Sequence, residues 1–160
     1  MRAVAQEAGV DASLIVHFFG NKLALFAESV QFPFEPEEEM PKLLADGRSQ
    51  VGRNVVGLLV RIWDEQGTRN PVLTLVAAAV TEPQAAEMLG DFVRERLFAP
   101  LPERLGSDQP ELRANLLASQ LLGLGLIRYV LRYEPIASAK PAQVIDWVAP
   151  NVQRYLTGRI

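Results

Sequence analysis

The chain has 160 residues, 49% of them hydrophobic, with a formal net charge of −3 and no cysteine. That length holds one compact domain, or a small module joined to a larger one, and apolar residues spread along the whole chain exclude an intrinsically disordered protein. The lack of cysteine excludes a disulfide framework and thiolate chemistry and fits a cytoplasmic protein, while the slight negative charge leaves any nucleic-acid binding to a local surface. Membrane insertion is not expected. The most apolar run, Leu112 to Leu131, is interrupted by Arg113, Asn115, Gln120 and Arg128, and a spanning helix needs roughly 18 uninterrupted apolar residues. The opening Met-Arg-Ala-Val-Ala-Gln-Glu has no apolar signal-peptide core.

In chain order the spacing predicts helices and no strand alternation, so the expected fold class is all-α. Arg2–Ala8 is a short Ala-rich helix ended by Gly9, and Asp11 caps a second helix running to about Phe19, with Gly20 as its stop. Asn21 caps a third, Lys22 to about Gln31, with Leu23, Phe26, Ala27 and Val30 on one face. Phe32-Pro33-Phe34-Glu35-Pro36 breaks the pattern and sets a boundary between residues 1–31 and 32–160. Beyond it come a short acidic-ended helix (Glu37–Leu44) and a longer one (Ser49–Gln66) with Val51, Val55, Leu58, Leu59, Ile62 and Trp63 inward. Pro71–Val80 and Gln84–Phe98 follow, then a loop marked by Pro100, Pro102, Gly106 and Pro110. Two long helices, Glu111–Tyr133 and Ala142–Leu156, close the chain, the second expected to bend at Pro150.

The most informative segment is Val4 to Lys22: helix, glycine turn, second helix. Ala5 and Ala8 are small enough for the two helices to cross closely, and Val10, Ile15 and Phe19 occupy the positions of a core beneath the second. This is helix-turn-helix logic, in which the second helix presents its outer face to the major groove. Spacing alone also fits an ordinary helical hairpin.

The segment resembles the signature of the TetR family of regulators. Ala5, Ala8, Gly9, Val10, Ile15, Phe19, Asn21 and Lys22 fall on the family pattern. Phe32–Pro36, Leu122–Pro135 and the terminal Gln153-Arg154-Tyr155-Leu156-Thr157-Gly158 resemble an actinobacterial-type C-terminal variety of the same family. There are departures. The position commonly Tyr is Val16, the usual cap Ser is Asp11, and the chain opens inside what the family pattern makes the second helix. The expectation from that last departure is weak or absent operator binding by the polypeptide as written.

The resemblance implies a ligand-responsive transcriptional repressor, binding palindromic operator DNA as a homodimer and released by a small-molecule effector. Ala12, Ser13, Leu14, Val16 and His17 are the candidates for facing bases, with Val16 and Ala12 against thymine methyls and His17 as a hydrogen-bonding reader. Asn21 and Lys22 would hold a phosphate at a helix N-terminus. For His17 and Lys22 the competing reading is a solvated surface group. Gly123, Gly125, Ile127, Val148, Val152 and Tyr155 are the candidate dimer seam, the competing reading being an intramolecular core. Trp63, Met88, Phe92, Arg128 and Tyr129 are candidate linings of an effector cavity. Arg128, a charge within an apolar run, either meets an anionic ligand or pairs with an acid such as Asp64 or Glu95.

No cofactor or metal is expected, and an enzyme is the rival class. With one histidine and no cysteine, the chain lacks the paired Glu-x-x-His motifs of a di-iron bundle and the base of a Ser-His hydrolase, and it has no phosphate-binding glycine loop. The other alternative is a helical ligand-binding or scaffold dimer without DNA-binding activity.

Overall fold

The structure, a computed structural model, describes residues 2–20, 25, 36–66, 76, 79, 81–92 and 98–160. The expected helices at Lys22–Gln31 and Pro71–Val80 therefore lie largely outside the described residues. The chain divides into two compact units, Met1–Phe32 and Pro33–Ile160. Among the described residues every regular element is helical, which makes the protein all-α.

In the first unit α1 (Arg2–Ala8) meets α2 (Ala12–Phe19) across a tight turn. Gly9 has φ +66, the left-handed region that favours glycine, and Val10 N donates to Ala5 O at 3.0 Å. Asp11 caps α2 by accepting from Ser13 N at 2.7 Å and from Ser13 Oγ at 2.5 Å. Gly20, at φ +73, ends the helix and donates its N–H to Val16 O. Ala5 and Ile15 are buried and Phe19 is half-buried. Val10, expected in this core, is instead 41% exposed. It belongs to the turn, ahead of the first residue of α2, so the helical spacing that carries Ile15 and Phe19 inward does not reach it.

The second unit is organised around α4 (Val51–Gln66) packed along α8 (Pro141–Thr157). Val51, Val55, Val56, Leu59, Val60, Ile62 and Trp63 of α4 are buried, as are Val144, Val148, Ala149, Val152 and Leu156 of α8. Burial of both Val55–Val56 and Leu59–Val60 means that α4 is covered on more than one side. α3 (Pro36–Leu44) leans on α4 through Met40, and α5 (Pro83–Phe92) buries Leu89. Pro100–Arg104, expected to be loop, forms a short helix, α6. Pro100 and Pro102 both fall in its first turn, where the missing N–H groups have no intrahelical acceptor and the fixed φ suits the helix.

α7 (Pro110–Gly125) departs most from expectation. Instead of one helix to Tyr133, it widens at Leu126–Val130 into a π turn, with Leu131 N donating to Leu126 O at 2.8 Å, and it stops before Arg132 at φ +52. Arg113, 2% exposed, donates from Nε to Asp108 O and from Nη1 to Tyr155 O, both at 2.6 Å. Its Nη2 reaches Gly158 O at 2.9 Å and the Asp108 carboxylate. The guanidinium thus satisfies carbonyls left open at the end of α8, and it holds the Asp108 carboxyl below its usual range. The sequence showed Arg113 only as a break in an apolar run.

The α4–α8 contact is close enough to involve backbone. A Cβ on Gly52 would lie 2.5 Å from Gln153 N and 2.7 Å from Gln153 Cα. Gly52 N donates to Gln153 Oε1 at 2.7 Å, while Gln153 Nε2 donates to Arg48 O and to Thr157 Oγ1. Gly57, one turn and a half further along α4, would meet only Ile145 Cδ1, at 3.9 Å. Gly52→Ala is therefore expected to force the helices apart and destabilise by about 3 kcal/mol. Gly57→Ala should be neutral or stabilising by up to about 1 kcal/mol, because alanine orders more readily in a helix. Thermal melts of the two variants against wild type check the opposite signs.

Candidate DNA-reading helix and buried arginine cluster

α2 carries an outward surface unlike an ordinary solvated one. Leu14 is 48% exposed, Val16 47% and Phe18 71%, and Ser13 and His17 are exposed beside them. The His17 and Phe18 rings meet edge to face with centroids 5.5 Å apart. Ala12 is half-buried, on the side of the helix shared with Ile15, and is less available than the others. Asn21 and Lys22 lie outside the described residues. Phe18 was missed in the sequence, although the Phe18-Phe19 doublet carries the signal. Neighbouring helical residues point 100° apart, so one narrow core rarely takes both rings. The hydrogen bonds from Ser13 keep the Asp11 carboxyl below the usual carboxylate range, so this cap stays charged at neutral pH.

The second constellation gathers where the π turn faces α4. Arg128 is 7% exposed. Its Nη1 donates to Ile136 O, its Nη2 lies 3.7 Å from Asp64 Oδ1, and its guanidinium sits 5.3 Å from the centre of the Tyr129 ring. Arg128 Nε is buried without a hydrogen-bond partner among the described residues. Tyr129 donates its hydroxyl to Asp64 Oδ1 at 2.7 Å and rests edge-on against Trp63 at 5.5 Å. Burial, reinforced by the bond to Asp64, pushes the Tyr129 phenol above its usual range. The neutral donor is therefore retained in the fold, and its contribution is lost only as pH rises beyond the ordinary tyrosine pKa of about 10. Of the five residues expected to line an effector cavity, Trp63, Arg128 and Tyr129 come together. The side chains of Met88 and Phe92 lie outside the described residues.

The positions read as a dimer seam separate into two groups. Gly125, Val148 and Val152 are buried within the chain itself, Val152 completely, so these positions are not available to a partner. The physical reason is that α8 turns its valine stripe onto α4. Gly123, Ile127 and Tyr155 stay half-exposed, and a Cβ on Gly123 would meet nothing within 4 Å.

Residues 49–156 match the family model described as tetracyclin repressor-like, C-terminal domain. The crystal structure of a TetR-family regulator from Streptomyces coelicolor A3 is similar over 96% of this chain and 80% of that one, at 30% identity and a TM-score of 0.58. No match was found among curated proteins. The chain belongs to the TetR family of transcriptional regulators. Among the described residues no helix is long and apolar enough to cross a membrane.

The Asp64–Arg128 pair is asymmetric: the Arg128 side chain is 6% exposed and that of Asp64 33%. Removing either partner strands the other, and the stranded charge costs more where it is more buried. Asp64→Ala is expected to destabilise by about 3 kcal/mol. Arg128→Met should cost about 1–2 kcal/mol, because Asp64 keeps solvent and the Tyr129 hydroxyl. Chemical denaturation of both variants gives the order; equal losses would contradict it.

Proposed function

We propose that this regulator is a repressor which binds a palindromic operator as a homodimer through α2 and is released by a small-molecule effector held near Trp63, Arg128 and Tyr129. The observation that carries the reading is the outward face of α2, where Leu14, Val16, His17 and Phe18 stand exposed on a capped helix that follows a glycine turn. Apolar side chains there fit thymine methyls, His17 and Ser13 supply hydrogen bonds to base edges, and Asn21 and Lys22 take the phosphate role. In a two-fold dimer, recognition helices about 34–36 Å apart meet successive major-groove faces. An effector that favours a dimer of different spacing weakens DNA binding by the factor by which DNA weakens effector binding.

The effector site is read from the buried cluster. Arg128 already has Asp64 as counter-charge, so an anion arriving there competes with that carboxylate. Trp63 and Tyr129 provide aromatic surface, and Met88 and Phe92 are retained as further lining. The seam is rebuilt on the half-exposed positions Gly123, Ile127 and Tyr155. To these are added Leu112, Leu116 and Val130, which share a face of α7 and its π turn at spacings of 4, 7, 4 and 3 residues with Gly123 and Ile127. Trp147, 54% exposed on the outer side of α8, extends this apolar surface.

Gel-shift titrations on a palindromic site, at two salt concentrations, of the chain with and without a family-like helix added ahead of Met1 test the DNA reading. Lys22→Ala should weaken binding to all sequences and reduce the log–log salt slope by about 1. His17→Ala should relax preference at one or two base pairs, with a loss of about 1–3 kcal/mol on the preferred site. Failure to bind any site upstream of its own gene or neighbouring genes, both by the 160-residue chain and by the chain with a family-like helix added ahead of Met1, would sink the assignment. Sedimentation at micromolar concentration tests the assembly: wild type should be a dimer and Ile127→Arg a folded monomer. A wild-type monomer, or an Ile127→Arg variant that remains dimeric, would refute the seam.

A further inference from the structure

A second candidate binding site lies away from the aromatic cluster, in a cleft of about 440 Å³ between α3 and α4. That volume is within the range of small-molecule sites. Leu43, Gly57, Leu58 and Ile145 give it apolar walls, and the absence of a side chain at Gly57 keeps its middle open.

The charges around the cleft are not equivalent. Lys42 is held by Glu39 at 2.6 Å, and Arg53 by Asp146 at 2.6 Å. Two charges remain without an ionic partner among the described residues, Arg61 and Asp46. Asp46 accepts only a neutral hydrogen bond, from Asn54 Nδ2 at 3.0 Å. Arg61 is exposed; of the two acids one turn beyond it, Asp64 is occupied by Tyr129 and Arg128, and among the described residues no ion pair joins Arg61 to Glu65. The Asn54–Asp46 contact marks one end of the cleft and Arg61 the other. Asn54 and Arg61 are seven residues apart on α4, roughly 10 Å at 1.5 Å per residue. The cleft therefore has an unpaired acid toward one end and an unpaired arginine toward the other, with Leu43, Gly57, Leu58 and Ile145 on its walls beside the paired Glu39, Lys42 and Arg53.

We infer that this cleft binds an extended zwitterion with an apolar middle, its ammonium at Asp46 and its carboxylate at Arg61, of the ω-amino carboxylate class. Opposite free charges at the two ends select against a plain fatty anion, which leaves Asp46 unmatched, and against a plain amine, which leaves Arg61 unmatched. A carboxylate on Arg61 forms charge-assisted, bidentate hydrogen bonds, and the methylenes cover Gly57 and Leu58. Because one wall is α3 and the other α4, an occupant ties these two helices together. Neither DNA binding through α2 nor the Arg128 cluster is needed for this site to form.

The test uses 6-aminohexanoate as the probe, with hexanoate and hexylamine as single-charge controls, followed by calorimetry and by backbone amide shifts in a labelled protein. The expected result is saturable binding of 6-aminohexanoate with shifts at Asn54, Gly57 and Arg61, and binding at least tenfold weaker for each control. Arg61→Gln and Asp46→Asn, both at exposed positions, should each weaken 6-aminohexanoate about tenfold while leaving the melting temperature near wild type. Arg128→Met should leave it unchanged. The inference is overturned if wild type does not bind the probe, if hexanoate binds as well as 6-aminohexanoate, or if neither Arg61→Gln nor Asp46→Asn alters the affinity.

Discussion

Two helices, α4 and α8, approach until the backbone of one touches the backbone of the other at Gly52 and Gln153. Most of the second unit depends on that approach. It sets α8 with its valines on α4, and it brings the side chain of Gln153 into hydrogen bonds with Gly52, Arg48 and Thr157. A half-buried amide with several partners resists displacement, because the partners it leaves are partly shielded from water. The contact therefore fixes register as well as distance. With the inner face of α8 committed, its outer face, including Trp147, stays exposed.

Buried arginines show how the same fold uses charge in two ways. Arg113 is enclosed by carbonyls of Asp108, Tyr155 and Gly158 and by one carboxylate, so it closes the chain end of α8 on the start of α7. Arg128 is almost as buried but less completely met: among the described residues it has one carbonyl, a carboxylate at 3.7 Å and no partner for its Nε. Full satisfaction marks a structural clamp. Incomplete satisfaction leaves Arg128 with hydrogen-bonding capacity that a fully matched charge lacks.

The π turn at Leu126–Val130 is what gathers the Arg128 cluster. An i→i−5 bond adds a residue to the turn and rotates the succeeding residues relative to a regular helix. In this protein it brings Arg128 and Tyr129 together against Trp63 and Asp64 of α4, the helix whose inner side is held by α8. A disturbance at Asp64 is thus applied to the element on which the second unit is built. In the first unit the arrangement is simpler: a glycine turn and an Asp cap present a short helix whose exposed side is apolar.

Local chemistry was legible from residues alone. Gly9, Asp11 and Gly20 announced the ends of α1 and α2, and the 3.6-residue spacing of Val51 through Trp63 predicted the inward face of α4, because caps and helical periodicity act within a few residues. The family pattern in Val4–Lys22 was legible for the same reason. Beyond local reach lay the question of which face meets which. The valines of α8 and the glycines of α7 read in sequence as a dimer seam, with an intramolecular core as the competing reading, and the close crossing at Gly52 assigned Val148 and Val152 to the chain's own interior. The π turn, the helix through Pro100–Arg104 and the partners of Arg113 were likewise settled by packing. A helix reports its apolar side by its own spacing, but the neighbour that covers that side is chosen by surfaces brought together from about a hundred residues away, as with Gly52 and Gln153.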